Sequence, residues 1–407
     1  VENQISRIRE KLARAAADPA LLESFGAQKH SYRLNPPLAE PDVAAFESEH
    51  GIVLPAEYRR FVIELGDGGA GPSYGVAPLR ESFDWDESPD GFLAAPSHFA
   101  PGIAYPVDSW SDDLDEPRQG SLAVVHHGCS DYTQLVVSGP GRGRLVTINL
   151  DGWGRPVVAE DPDFLSWYER WLDELLAGCT VTWFGRKLPG GEAELVAIAA
   201  HDPSADRRAQ AAASLGLLRE VGPAGAQALA AAIADPDPLV RECALGAARS
   251  RTVEACADPA RVALSDPDAS VRAEAIMVLR ALSAADLPEL ARRLLSDDDP
   301  AVLRRAVTAL GDLGELVVAD LAPLTTRPDA EIRGSAVHAL INAQDDATGL
   351  LATALDDEDH FVRIHAVQAA FRRGDRALLP LLRQRLGVET DPTVLRNLEQ
   401  VVTAWTS

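Results

Sequence analysis

The sequence predicts two successive folds: an α+β domain over residues 1–185 and an all-α solenoid of about seven helix pairs over residues 186–407. One phrase, clearest as Asp235-Pro236-Asp237-Pro238-Leu239-Val240-Arg241 and Asp266-Pro267-Asp268-Ala269-Ser270-Val271-Arg272, recurs seven times after residue 200 at intervals of about thirty residues. A fixed period in that range marks stacked helical units, which build a surface rather than a reaction pocket. The first part does not repeat; helical patterns give way to short strand runs between Gly/Pro turns and then to a closing helix. At 407 residues the chain also exceeds one ordinary compact core.

In the first part, residues 1–30 read as helical, with Ile5, Ile8 and Leu12 at helical spacing. A second helix is expected from Pro41 to about His50, stopped by Gly51. After Leu54, Pro55 suits an early helical position, and Tyr58, Phe61, Val62 and Leu65 form one apolar face. The run Gly66–Pro72 cannot continue that helix. Its glycines follow a helix instead of preceding one, and no Lys lies between Gly66 and Gly75, so it reads as a sharp turn and not a phosphate cradle or dinucleotide fingerprint. Strands are expected at Gly120–Val125, Gln134–Ser138 and Leu145–Leu150. Asp161-Pro162-Asp163 then starts a helix that buries Phe164, Leu165, Tyr168, Trp171, Leu172 and Leu175.

In the second part, Val271/Ala275/Val278/Leu279 lie on one helical face, and the spacing recurs as Val302/Ala306/Ala309/Leu310, Ile332/Ala336/Ala339/Leu340 and Val362/Ala366/Ala369/Ala370. The Asp ahead of each face caps free backbone N–H groups, and the Pro tolerates the first turn. A second apolar stretch follows each first helix, as at Ala228–Ile233 and Leu287–Leu295. The copies drift. Asp202-Pro203 opens a degenerate unit, Asp299-Pro300 shifts the Arg by one place, Arg327-Pro328 loses the Asp, and Asp391-Pro392 opens a cap. The repeated Arg241, Arg272, Arg333 and Arg363 read as a ligand-binding ladder or as partners of the repeated Asp residues; the fixed offsets of both charges favour pairing. Charges on the second helices, Arg292, Arg293, Arg383 and Arg385, are better candidates for partner contact.

The Asp-Pro-Asp-x-x-Val-Arg-x-x-Ala pattern followed by Ala-Leu resembles the short HEAT repeats of the phycobilisome-lyase type over roughly residues 190–400. The resemblance implies a curved solenoid whose second helices line the concave side. It leaves function open among bilin lyases, DNA glycosylases, kinase partners and scaffolds. In the first part, Leu54-Pro55-x-x-Tyr58-x-x-Phe61, the turn Gly66-x-Gly68-Gly69 with Pro78-Leu79, the stretch ending Gly128-Cys129 and the aromatic helix 163–177 resemble the SUKH superfamily of Smi/Knr-type domains over about residues 35–178. Asp67 stands where that family usually has Asn. The resemblance implies a non-enzymatic binding module, commonly a bacterial immunity protein or a fungal signalling hub.

Lys+Arg 38 against Asp+Glu 62 gives a net charge of −24, split as 14 against 29 over residues 1–185 and 24 against 33 over residues 186–407. Neither part suits a phosphate backbone or an anionic bilayer, so neither nucleic acid nor membrane is expected as a partner; a basic protein surface is the better match. Four scattered cysteines and the lack of a membrane-length apolar run or signal pattern point to the cytoplasm. The absent initiator Met points to a processed or trimmed start. Cys243 and Cys256 read as buried thiols. The run His126-His127-Gly128-Cys129-Ser130-Asp131 has metal-ligand types but no second ligand pair, and no cofactor is expected. With no nucleophile–base set in view, the chain reads as a non-enzyme. Asp84, Asp86 and Glu87 surround Trp85, and Asp112, Asp113, Asp115 and Glu116 follow Trp110. An aromatic anchor with a charged rim is a binding arrangement, and this is the expected partner-facing site. The functional reading is an immunity protein that occludes a basic toxin; the alternatives are a scaffold joining two partners and a HEAT-type enzyme accessory.

Overall fold

The computed structural model describes residues 2–82, 89–100, 118–151, 155–182 and 184–406. They form two compact units, residues 1–225 and 226–407.

The first unit runs α1 (Glu2–Ala16), α2 (Pro19–Leu22), α3 (Glu40–His50), α4 (Ala56–Arg60), β1 (Ser121–Gly128), β2 (Asp131–Val136), β3 (Leu145–Asn149), β4 (Val157–Val158), α5 (Phe164–Leu176), α6 (Glu192–His201) and α7 (Ala205–Leu215). The four strands make one antiparallel sheet in the order β1-β2-β3-β4. Alternation places Leu122, Val124, Leu135 and Leu145 in the main core, while Val136, Val146 and Ile148 pack with Phe99 in a smaller cluster. This is an α+β fold.

Helix α5 organises the main core. Asp163 caps it by accepting from Ser166 N, and all six expected residues plus Trp167 are buried. Phe164 and Tyr168 meet Phe61 at ring-centroid distances of 4.9 Å, so the α4 face expected from Tyr58, Phe61, Val62 and Leu65 docks here. Tyr168 Oη donates to Ala70 O at 2.8 Å, tying α5 to the glycine turn. In that turn Gly69 has φ 99°, and a Cβ there would lie 2.6 Å from Arg33 O. Its backbone bridges Leu34 and Val76, and Val76 bridges Val125 of β1. Thus the turn leads from helix into the sheet region, as its order along the chain predicts. Outside the core, Arg7 (2.6 and 2.8 Å) and Lys11 (2.8 Å) clamp Glu169, pinning α1 to α5 and holding the Glu169 carboxyl down at about 2.

Helix α1 stops at Ala16, well short of residue 30, because Asp18-Pro19 and Gly26 restart the backbone as α2 and a short 3-10 turn. Residues 61–65 continue α4 as a π-helical turn. The change from non-repeating to repeating sequence comes near residue 186, whereas the compact division falls at Gly225/Ala226. The reason is that α6 and α7 are anchored in the first unit. Arg207 pairs with Glu160 at 2.8 Å, Gln210 donates to Arg186 O, and Leu188 N donates to Ser214 Oγ at 3.0 Å.

Helix α8 (Pro223–Ala232) spans that division. The second unit then stacks the pairs α9 (Pro238–Arg251) and α10 (Ala257–Ala263), α11 (Ala269–Ala281) and α12 (Leu287–Leu294), α13 (Pro300–Asp312) and α14 (Val318–Leu321), α15 (Ala330–Ala339) and α16 (Thr348–Ala354), α17 (His360–Arg373) and α18 (Leu379–Leu386), closed by α19 (Pro392–Thr406). Successive first helices pack on one another through the repeated small and branched residues, all of which are buried. Asp237, Asp268, Asp299, Asp329, Asp359 and Asp391 cap those helices by accepting from backbone N–H groups two or three residues on.

The repeated arginines form a ladder. Arg241 binds Asp266 (2.8 and 2.7 Å), Arg272 binds Asp297 (2.7 and 2.8 Å), Arg333 binds Asp357 (2.9 and 2.9 Å), and Arg363 binds Glu389 (2.8 and 2.9 Å). Each is a two-point fork onto the next repeat's turn. The remaining nitrogen donates to two carbonyls of the arginine's own turn, such as Asp266 O and Pro267 O for Arg272. The expected pairing with acids is therefore made to the next unit, while within its own unit each arginine meets backbone carbonyls. Because the forks are mostly buried, truncating one partner strands the other. Arg272→Met and Asp297→Asn should each destabilise the chain by about 2–4 kcal/mol in urea unfolding, with a coupling of about 1–3 kcal/mol in the double-mutant cycle. Additive effects would show that the fork is ornamental.

Candidate functional site

The expected partner-facing residues Asp84, Trp85, Asp86, Glu87, Trp110, Asp112, Asp113, Asp115 and Glu116 lie outside the described residues. The four arginines of the second helices are divided by the stack. Arg292 donates to Glu315 O at 2.9 Å and pairs with Asp320 at 3.3 Å, while Arg385 donates to Glu389 at 2.8 Å, so both serve packing. Arg293 and Arg383 are exposed and make no salt bridge among the described residues.

A buried polar constellation of the first unit was not legible in the chain. Ser73 Oγ lies 3.0 Å from His127 Nδ1, His127 Nε2 lies 2.7 Å from Thr133 Oγ1, and Thr133 Oγ1 lies 3.2 Å from Thr147 Oγ1. Ser73 sits within Gly71-Pro72-Ser73-Tyr74-Gly75 at φ 51°, a left-handed backbone. The spacing matches a nucleophile elbow, and a serine touching an imidazole is half of a hydrolytic triad. Its surroundings differ from that template. The third position is a threonine, the turn joins isolated β-bridges and not a strand to a helix, Ser73 is 6% exposed, and the space beside His127 holds only about 10 Å³. The chain of hydroxyls and imidazole instead satisfies polar groups between the turn and the sheet. Burial pushes the His127 imidazole down to about 4, so the ring stays neutral and relays hydrogen bonds.

His126 and His127 point to opposite faces of β1, one exposed and one buried, so they cannot share a metal ion. Burial raises the thiols of Cys243 to about 12 and Cys256 to about 11, which keeps both protonated and weakly nucleophilic.

A cavity of the second unit lies between α13 and α15. It encloses about 390 Å³ over a floor of Leu303, Val307, Leu324 and Ile332. Thr308, Ser335, His338, Asn342 and His365 supply the polar wall. A more open cavity, about 590 Å³, is a shallow charged depression beside Glu174 and Lys187 of the first unit. Sequence periodicity alone could not show the α13–α15 cavity, although the drifted copies at Asp299 and Arg327 mark its place.

Residues 257–341 and 318–402 match the family model described as HEAT repeats, so this part of the chain is a HEAT-like helical solenoid. Among solved structures, the chain is similar to YibA of Escherichia coli, at 18% identity over 60% of this chain and 89% of that one, with a TM-score of 0.41. It is similar to the complex of CpcE and CpcF of phycocyanin lyase from Nostoc sp. PCC7120, at 18% identity over 53% and 95%, TM-score 0.34. A designed armadillo repeat protein in complex with the peptide (KR)4 is similar at 17% identity over 53% and 100%, TM-score 0.29. No curated protein matches the chain. No helix among the described residues is long and apolar enough to cross a membrane.

The buried imidazole makes a pH prediction. A histidine lowered from 6.5 to about 4 binds a proton more weakly in the fold than in the unfolded chain. Its contribution is complete above pH 6.5 and is lost as pH falls from 6.5 to about 4, a change of about 3 kcal/mol. Glu169 acts in a lower window, losing its contribution as pH falls from 4.5 towards about 2. In urea unfolding followed by tryptophan fluorescence, which reports mainly residues 1–185, His127→Gln should flatten the slope between pH 4 and 6.5 and leave the steeper acid limb in place. An unchanged slope in that window would contradict the assignment.

Proposed function

We propose that this chain is a non-catalytic binding module for a protein with a basic surface, and within that class an immunity protein that masks a toxin. The observation that carries the binding reading is the placement of charge. The ladder arginines turn inward onto carboxylates and carbonyls, whereas surplus acid stays outside: Glu254, Glu289 and Glu399 are exposed and make no salt bridge among the described residues. An acid surplus of −24 then faces solvent as a field that attracts a basic partner and repels nucleic acid. The HEAT-like array supplies extended surface of the kind that holds proteins. The immunity reading draws on the SUKH-like landmarks of residues 35–178, whose Tyr58 and Phe61 are buried against α5 and whose glycine turn leads into the sheet region. A cytoplasmic site of action goes with that reading.

A second reading, an adaptor joining two partners, is favoured by the division into two compact units, each able to present its own face.

Capture of partners from the native host with the intact chain, alongside Trp85→Ala/Trp110→Ala, tests both. The proposal expects a basic protein whose retention falls at least about tenfold from low salt to about 0.5 M salt, and whose capture the double substitution reduces. A captured toxin whose activity the chain abolishes in vitro supports the immunity reading. Two different partners, one per unit, favour the adaptor. Retention of every partner by the double variant rules out the Trp85/Trp110 site.

A further inference from the structure

The α13–α15 cavity coincides with an interruption of the arginine ladder between α9 and α17. In α9, α11, α15 and α17 the residue after the branched Val or Ile is Arg, and its carboxylate partner lies 24 to 26 positions on. In α13 that residue is Leu303, buried at 3% exposure, and the position 24 residues on is Arg327. The charge has changed sides. Arg327 reaches back to Asp297 O at 2.9 Å and Asp298 at 3.0 Å. Asp297 O is the carbonyl that an arginine at 303 would have bound, since Arg241, Arg272, Arg333 and Arg363 each donate to the carbonyl six residues before them. The backbone is satisfied, but the fork that draws adjacent first helices together is missing.

The next junction is tight by contrast: a Cβ on Gly334 of α15 would lie 3.3 Å from His365 Cδ2 of α17. So α15 is drawn towards α17, and the space is left on its α13 side. That space is chemically finished. Its floor is aliphatic, while the side chains of Ser335 and Asn342 make no hydrogen bond among the described residues, and His365 Nδ1 is buried with no partner there. His338 and His365 stand edge to face, ring centroids 5.0 Å apart. The rim is charged but already neutralised, Arg304 by Glu331 at 2.5 Å and Asp312 by Arg280. A volume of about 390 Å³ suits a small ligand.

We propose that the groove between α13 and α15 is a binding site for a small uncharged aromatic or heteroaromatic molecule, its ring on Leu303 and Ile332 and its polar edge on Ser335, Asn342 and His365. Partial burial holds both imidazoles below their ordinary range, leaving neutral donors and acceptors for such an edge.

The test is methyl-detected NMR of the full chain with four probes: indole, benzamide, benzoate and benzamidine. Indole and benzamide should shift the Leu303, Val307, Leu324 and Ile332 methyls saturably at low millimolar concentration, with the charged analogues weaker by about tenfold. Leu303→Arg/Arg327→Asp restores the ladder residues and should abolish indole binding without loss of stability. Ser335→Phe, which fills the groove, should do the same and covers the case of a misfolded double variant. The proposal is overturned by absence of saturable shifts, by shifts mapping elsewhere, by equal binding of the charged probes, by binding that survives in both variants, or by an indole that binds only when carried on a peptide.

Discussion

One interaction organises the second unit: an arginine that grips its own turn with one nitrogen and the following repeat's carboxylate with the other two. The carboxylate is itself committed, since Asp266, Asp297 and Asp357 also accept from the backbone N–H two residues on. Each fork therefore fixes two turns and the spacing between them. A guanidinium can do this because it is planar and carries five donors; a lysine at the same place could satisfy only part of the set. At the far end Glu389 replaces Asp and accepts from Arg363, Arg385 and two backbone N–H groups, which hold its carboxyl well below the usual carboxylate range.

The same interaction leaves the charge balance unchanged and accounts for space. Each arginine held internally takes one carboxylate with it, so the acid surplus of −24 is carried by the remaining charges. Where the fork is missing, at Leu303 and Arg327, two first helices part and a cavity opens. That opening needs no special loop or inserted segment. It follows from where one side chain in each repeat is directed.

Much of this was legible in the chain because it is local. The Asp before each first helix is a cap, and the i, i+4, i+7, i+8 faces are buried, since both rules act within a few residues. The α5 face was readable for the same reason. What escaped is non-local or short. Ser73 and His127 meet across 54 residues, and nothing near either announces the other. β4 is two residues long, too short to carry alternation. The drift at Asp299 and Arg327 was visible as a departure from pattern; only the partner of Arg327 reveals it as a change of sides. Arg292 and Arg385, expected to face a partner, are held by acids of neighbouring turns, which helix periodicity alone could not place. The acidic tryptophan segments 84–87 and 110–116 rest on composition.

If the forks set the strength of each contact between repeats, the stack should have one weak joint. Native-state hydrogen exchange of the full chain tests this most directly, because it reads the opening free energy helix by helix. Amides of α9, α11 and α13 should share one opening free energy and those of α15, α17 and α19 another, with the step at α13/α15. A single opening energy across the unit, or a step at a junction whose fork is intact, would contradict the account.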